Sequence, residues 1–486
     1  MPVGYNPLMS RSVKLEQLPP SGGFLAVSAV AAGDAALQAA IGNAVMKQYL
    51  GRQTRLRELA DADALRTLAG CIRRHALDHL DYYLRQLTLN VQRNGGEVHF
   101  AADAVEAQRI VLGIAERAGC RRVIKSKSMV SEELGLLHAM EAAGLEVVET
   151  DLGEFIVQIS GDRPSHIVAP IVHKNRAGIA TLFGRFFSTP YNDDPRALTM
   201  QARAHLRQRF RAAEMGMTGA NFLVAETGQA CIVENEGNAR QSMTTPRVLV
   251  CVSGIEKVVP RLADLAVLLK LLARSATGQH ITVYTSLVGG PRAAGEKDGP
   301  EQFHLVLVDA GRIEMLGGTY REALCCIRCG ACLNACPVYR KIGGHAYGHV
   351  YSGPIGAVIA PLLEGLERHG ELPQASSLCG ACLEACPVKI DLPRMLVDLR
   401  RDAVSARMVG WGQRTVLRLW GLMLRSPLLY RVGGMMGRWW LRRRADADGW
   451  ITRLPGPAAG WTHCRDMPAP AAHSFASLWR QRGQRR

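Results

Sequence analysis

No run of 18 or more uninterrupted apolar residues occurs in this 486-residue chain, and a membrane-spanning helix needs about that many. No G-x-G-x-x-G follows an expected strand, and no P-loop is present. Both absences argue against a nucleotide or flavin held on a Gly-rich turn. HExxH and G-x-S-x-G are missing as well, so zinc-hydrolase and nucleophile-elbow chemistry lack their signatures. Lysine is absent from residues 401–486, where sixteen Arg stand against four Asp; +12 of the net charge of +16 belongs to that stretch. A basic tail of this kind suits a partner surface or an anionic membrane face better than nucleic acid. The apolar stretch "FLAVSAVAAGDAALQAA" begins only at Phe24, behind Glu16 and "PPSGG", and Asp34 interrupts it. It reads as an Ala-rich helix rather than a secretory segment.

The length implies two or three domains. An N-terminal helical segment is expected over 1–69, with "LDHLDYYLRQLTLNV" continuing the helical spacing. From 70 to 312 strands and helices alternate at short intervals. "GGEVHFA", "CRRVIKS", "LEVVETD", "RVLVCVS", "HITVYTSLVGG" and "QFHLVLVDAG" read as strands, while "EAQRIVLGIAERAG", "SEELGLLHAMEAAG" and "ADLAVLLKLLARSA" read as helices, with Gly119 and Gly144 as stops. "FLVAETGQACIVENEG" fits a hairpin turning at Thr227-Gly228. This alternation predicts an α/β domain with a parallel sheet. Residues 313–400 read as a helical, cysteine-bearing domain, and 401–486 as an Arg-rich C-terminal domain.

Eight of the 13 cysteines fall between 325 and 386, a pattern suited to metal in a reducing compartment rather than to disulfides; a cytoplasmic location is the expectation, with contact at the inner membrane face as an option. Cys326, Cys329, Cys332 and Cys336, followed by Pro337, spell C-x2-C-x2-C-x3-C-P, the bacterial ferredoxin run for cubane iron–sulfur clusters. Four-cysteine zinc sites also use C-x2-C pairs, but a repeated run ending in C-P is far more specific. The second run keeps Cys379, Cys382, Cys386 and Pro387 and has Ser376 at the first position. In such paired runs the fourth cysteine ligates the other cluster. Cluster 1 then takes Cys326, Cys329, Cys332 and Cys386, and cluster 2 takes Cys336, Cys379 and Cys382. Cluster 2 is one thiolate short: it is [3Fe-4S], or [4Fe-4S] with water, a hydroxyl, another side chain or a partner's group on the last iron. Cys325 reads as a bystander, Cys71, Cys120, Cys231, Cys251 and Cys464 as small hydrophobes, and His345 and His349 as structural or solvent-facing. Forty-two residues separate Cys336 from Cys379, which suits a helical double-cluster ferredoxin domain with "GPIGAVIAPLLEGLERHG" as one inserted helix.

The α/β domain carries polar motifs at strand ends, where ligand pockets of such sheets form. Lys125, Lys127, His173, Glu226, Glu236 and Asn238 could frame an anionic substrate, with turn and strand-end hydrogen bonding as the alternative. In the tail, Arg407, Arg414, Arg418 and Arg425 fall on one helical face and Val409, Val416, Trp420 and Met423 on another, predicting an amphipathic helix ending at Pro427. Packing on the ferredoxin domain or a partner subunit, or lying on a membrane, would each use it.

The motifs "KSKSM", "ETDLGE", "PSHIVAP", "TGANF", "NEGNAR" and "GIEKVVP", followed by "SGPIGAV" and "SSLCGACLEACPVKI", resemble the LutB/LldF family of lactate-utilization iron–sulfur proteins from about Leu59 to the C-terminal "WTHCRDMPAPAAHSFASLW". The resemblance implies a lactate-utilization domain of the sugar-isomerase and CoA-transferase-like α/β class, then the double-cluster domain, then a family-specific tail. It makes Ser376 typical of the family. It also implies electron relay during oxidation of L-lactate to pyruvate, together with a CCG-type cysteine-rich subunit and a small lactate-utilization domain subunit. Residues 1–22 match nothing in it. Two readings from other classes stay open: a cluster-bearing metabolite-sensing or assembly protein, and an acyl/CoA-type enzyme with structural clusters.

Overall fold

The computed structural model describes residues 23–463 and 465–483, which leaves Cys464 and the segment 1–22 outside the described residues. The chain forms two compact units, one ending at Asp402 and the other beginning at Ala403.

Ten strands follow one another in the first unit: β1 (Glu97–Ala101), β2 (Arg122–Lys125), β3 (Glu146–Glu149), β4 (Met215–Thr218), β5 (Phe222–Val224), β6 (Gln229–Glu234), β7 (Val248–Gly254), β8 (Val258–Val259), β9 (Tyr284–Val288) and β10 (Gln302–Val308). Six build one sheet in the order β1-β10-β7-β4-β2-β3, with every pair parallel. Both faces are covered, which is why β7 and β10 read as almost continuous apolar runs. On one side Val250, Val306 and Val308 meet Ala107, Val111 and Ile114 of the helix Ala104–Arg117. On the other, Leu249, Leu305 and Leu307 meet Leu80, Leu87 and Val91 of the helix Leu80–Arg93. The remaining strands form a smaller sheet, β8-β5-β6-β9, around the expected β5–β6 hairpin. Gly119 and Gly144 take positive φ of 61° and 82° where their helices stop.

The structure differs from the sequence expectation in several elements. "SEELGLLHAMEAAG" is two short helices, Met129–Glu133 and Leu136–Ala142, because Gly135 sits at φ 61° between them. The inserted helix runs only over Gly353–Glu364; Gly365, at φ 91°, separates it from the turn Leu366–His369. Three helices, Leu152–Ser160, Arg176–Phe187 and Pro195–Ala212, were not expected, although each has an Asp or Asn whose side chain accepts a first-turn N–H.

N-terminal helices fasten the cysteine segment to the α/β part. Asp34 ends the helix Gly23–Gly33 and caps Ala35–Arg57 by accepting from Leu37 N at 2.9 Å. That second helix packs on Ala331–Ala335 and Pro337–Ile342. In the next helix, Ala62–Asp78, the buried Arg73 donates to the carbonyls of Val258 and Leu324 at 2.8 and 3.0 Å. Arg66 donates to the Cys386 carbonyl at 2.8 Å. A further close approach joins Gly344 to the "PSHIVAP" strap: a Cβ on Gly344 would lie 1.8 Å from the Ser165 carbonyl oxygen. Backbone must move to admit it, so Gly344→Ala is expected to lower stability by about 1–3 kcal/mol, read as an earlier thermal unfolding midpoint.

No single helix among the described residues is long and apolar enough to cross a membrane; Gly23–Gly33 and Ala35–Arg57 pass that test only as a pair, broken by 89°. In the second unit the helix Trp411–Arg425 is followed, after Ser426, by Pro427–Arg442. Pro427 therefore opens a helix rather than closing one, since its missing N–H costs nothing in a first turn. Arg407, at φ 60°, lies before the first of these helices and so leaves the expected Arg row, which keeps Arg414, Arg418 and Arg425. Val416, Trp420, Met436 and Trp439 of this helical pair are all more than half exposed.

Candidate metal centre

The two cysteine runs fold as copies fifty residues apart. Arg328 and Leu378 both take positive φ, 57° and 54°, ahead of the second cysteine position, and Gly330 and Gly380 follow at 74° and 83°. Each glycine starts a five-residue helix, Ala331–Ala335 or Ala381–Ala385, and Pro337 opens the next turn after the last cysteine of the first run. Such loops turn two-residue spacings into thiols that face one point.

Cys326, Cys329 and Cys332 share one recess with Cys386, which arrives from the second run. The recess is otherwise walled by side chains such as Ile167, Ile355, Val388 and Leu392. Burial pushes the Cys329 and Cys386 thiols up to about 12, with repulsion from neighbouring thiolates adding to it; Cys332 is likewise raised well above the ordinary thiol value for the same reasons. Three buried thiols that resist ionising, with the half-buried Cys326 beside them, need a cation among them. Backbone N–H groups already point at sulfur, Arg328 N at Cys326 Sγ (3.4 Å) and Ile390 N at Cys386 Sγ (3.3 Å). Soft donors, N–H···S bonds and dry walls fit a thiolate-ligated iron–sulfur cluster.

Cys336, Cys379 and Cys382 form a second group: burial, and after it the charged form of Cys379, raises the Cys336 thiol, and burial, then the charges of Cys336 and Cys379, raises Cys382 to about 11. Cys379 is exposed and Ser376 half-buried. Cys325 is buried beside the first run, whereas Cys71 is exposed, not the buried hydrophobe expected. His345 and His349 are engaged elsewhere, with the Arg163 carbonyl (2.7 Å) and Glu364 (3.3 Å).

The carboxyl ends of the parallel strands abut the first recess. Arg312, after β10, pairs with Glu256 beyond β7 (2.7 Å) and bidentately with Glu133 beyond β2 (2.8 and 2.9 Å). Tyr351 donates to the same Glu133 at 2.7 Å and lies 4.2 Å beneath the Arg328 guanidinium. Burial opposes charge on Glu256, but Arg312, Lys257 and Arg328 hold its carboxyl down at about 2. Arg328, placed between two recess cysteines, thus links the α/β part to the cysteine site. "PSHIVAP" forms the other link: Ile167 lines the recess, and His166, held neutral by burial, bonds Asn334 at 3.1 Å. Glu133, His166, Glu256, Arg312 and Arg328 were not singled out from sequence; the signals lay in "VSEE", "PSHIVAP" and "GIEKVVP".

Of the six candidate substrate residues, four converge on the stretch Glu149–Glu154. Lys125, fully buried, pairs with Glu149 (2.5 Å) and Glu132 (2.8 Å). Lys127 faces Glu154 at 3.1 Å, Asn238 donates to Thr150 Oγ1 at 3.3 Å, and Glu236 accepts from Leu152 N at 3.1 Å. Burial and the Asp151 charge raise Glu236 to about 7, and burial raises Glu149 to about 8. His173 is placed otherwise, between Ser165 Oγ (2.8 Å) and Asp162 (2.9 Å), and Glu226 caps the helix Leu262–Ala276 by accepting from Leu262 N at 2.9 Å.

Three family descriptions match the chain in order: a LUD domain over residues 84–308, a 4Fe-4S dicluster domain over 322–390, and the C-terminal domain of lactate utilisation protein B over 409–484. Lactate utilization protein B of Shouchella clausii is 45% identical over 92% of this chain and 94% of its own length. Those of Bacillus cytotoxicus and Bacillus licheniformis are each 44% identical over the same shares. A match of that length spans the α/β part, the cysteine segment and the tail, and the chain belongs to the lactate utilization protein B family of iron–sulfur proteins.

Proposed function

We propose that this chain is the electron-transfer subunit of a complex that oxidises L-lactate to pyruvate, holding one cluster on Cys326, Cys329, Cys332 and Cys386 and a second on Cys336, Cys379 and Cys382. The observation that carries the reading is the exchange of last cysteines: Cys386 leaves its own run to complete the recess of the first. When bound, such clusters accept and release single electrons. The residues of this chain supply the setting. Ile167, Ile355 and Leu392 keep water from the first recess, the N–H groups of Arg328 and Ile390 fix the sulfur lone pairs, and Arg328 places a fixed positive charge beside the site. Lactate oxidation itself would take place on the sister subunits, the cysteine-rich one and the small lactate-utilization domain one. The [4Fe-4S] type fits the first site by its four thiols.

The test is anaerobic reduction. With both sister subunits present, L-lactate is expected to bring up the EPR signals of reduced clusters in this chain within the time of turnover. Clusters that stay oxidised under lactate, yet reduce with dithionite, would remove the electron-transfer reading and favour a structural role.

A further inference from the structure

The second cysteine site has three thiols and, at the position homologous to Cys326, Ser376. The loop around that serine keeps the shape of the loop that holds a ligand. Leu378 takes the strained positive φ of Arg328, 54° against 57°, although neither residue is a glycine. In the first run Arg328 N donates to Cys326 Sγ at 3.4 Å; in the second, Leu378 N donates to Ser376 Oγ at 3.1 Å. The serine oxygen therefore stands where the thiol sulfur stands in the copy and makes the same bond to the residue two further on. Arg400 adds a cation to this loop, donating to the carbonyls of Pro373 (2.9 Å) and Ser376 (3.1 Å).

We propose that Ser376 Oγ is the fourth protein ligand of the second cluster, an oxygen on the iron that the three cysteines leave. This rests on the two-cluster reading above. On binding, the Ser376 O–H bond breaks and its proton passes to solvent, while an oxygen lone pair forms the bond to iron; no electron is gained or lost. A hydrogen bond from Leu378 N and the nearby Arg400 charge both favour the anionic oxygen.

The test uses the anaerobically purified full-length protein, compared with Ser376→Ala, Ser376→Cys and Tyr347→Phe. The last is the control because the Tyr347 hydroxyl is the buried oxygen beside Cys336 that has no hydrogen-bond partner. Wild type is expected to hold about eight irons in two four-iron clusters and to show no coupling to water labelled with the magnetic oxygen isotope. Ser376→Ala should fall to about seven irons with a three-iron EPR signal, or admit labelled water to the second cluster. Ser376→Cys should retain the four-iron form without that coupling, and Tyr347→Phe should match wild type. Labelled-water coupling in wild type, a three-iron cluster in wild type, or a Ser376→Ala protein identical to wild type would each overturn the assignment while leaving two clusters standing. A wild type with only one cluster would remove the two-cluster reading and this one with it.

Discussion

Arg312→Met is expected to cost about 3–5 kcal/mol of stability. The side chain is almost wholly buried, and removing its charge strands the carboxylates of Glu133 and Glu256 in the same dry interior. Loss of a buried partner carries the desolvation penalty of whatever remains, so the effect far exceeds that of a surface pair. The pH dependence has a defined sign. In the native protein the Glu256 pKa is depressed to about 2, so its contribution is present above the usual carboxylate pKa and is lost as pH falls from there through about 2. Without Arg312 one of the three charges that hold the Glu256 carboxyl down is gone, so it takes up a proton more readily when folded, and the deficit against wild type should narrow as pH falls from the usual carboxylate value toward about 2. Anaerobic thermal unfolding across that range reads it. Arg312→Met combined with Glu133→Gln should recover part of the loss; a double variant as unstable as the sum of its singles would count against a paired-charge origin.

Cys386→Ala is expected to abolish the cluster of the other run. Cys386 belongs by sequence with Cys379 and Cys382, yet it lines the recess of Cys326, Cys329 and Cys332. Iron should fall from about eight to about four per chain, and the EPR signal that survives should be the one that Cys332→Ala also leaves. Cys336→Ala and Cys382→Ala should form the complementary pair, each sparing the cluster that Cys386→Ala removes. If Cys386→Ala and Cys382→Ala lose the same signal, each run loads its own cluster and the exchange is wrong. Because the first recess is lined by apolar side chains, water is a poor substitute for a missing thiolate there, so the loss should be complete.

What could be read from sequence follows from how local each signal is. Ligand spacing is local: two residues between thiols suffice to specify the loop, and the C-P ending marks which cysteine leaves. The sheet was legible because β7 and β10 are long, apolar and bounded by turn residues. Strand β4, "MGMT", was not, being four residues long with a glycine that packs under Ser242. The charge network was beyond reach for another reason. Glu133, Glu256 and Arg312 follow three different strands, β2, β7 and β10, and nothing in their neighbours announces that a parallel sheet will align those ends. Candidate substrate residues divided along the same line. Lys125, Lys127, Glu236 and Asn238 follow strands whose ends meet, whereas Glu226 turned out to be a helix cap and His173 a partner of Asp162. In the tail, helical spacing found the Arg face, but Pro427 was read as a stop where it begins the next helix.

The proposed exchange of last cysteines would also set a timetable for synthesis. A nascent chain presents Cys326, Cys329 and Cys332 some fifty residues before Cys386 exists, an interval of several seconds at about 5–20 residues per second. On the proposed ligation neither iron site would be complete during that wait, since each would lack a ligand that lies downstream. Closing the first ties residue 326 to residue 386, withdrawing the entropy of a sixty-residue loop from the unfolded chain in the manner of a disulfide. Iron loading and the folding of everything between the two runs would then be a single late event, and a chain deprived of iron should lose order first in the residues from Gly343 to Gln374.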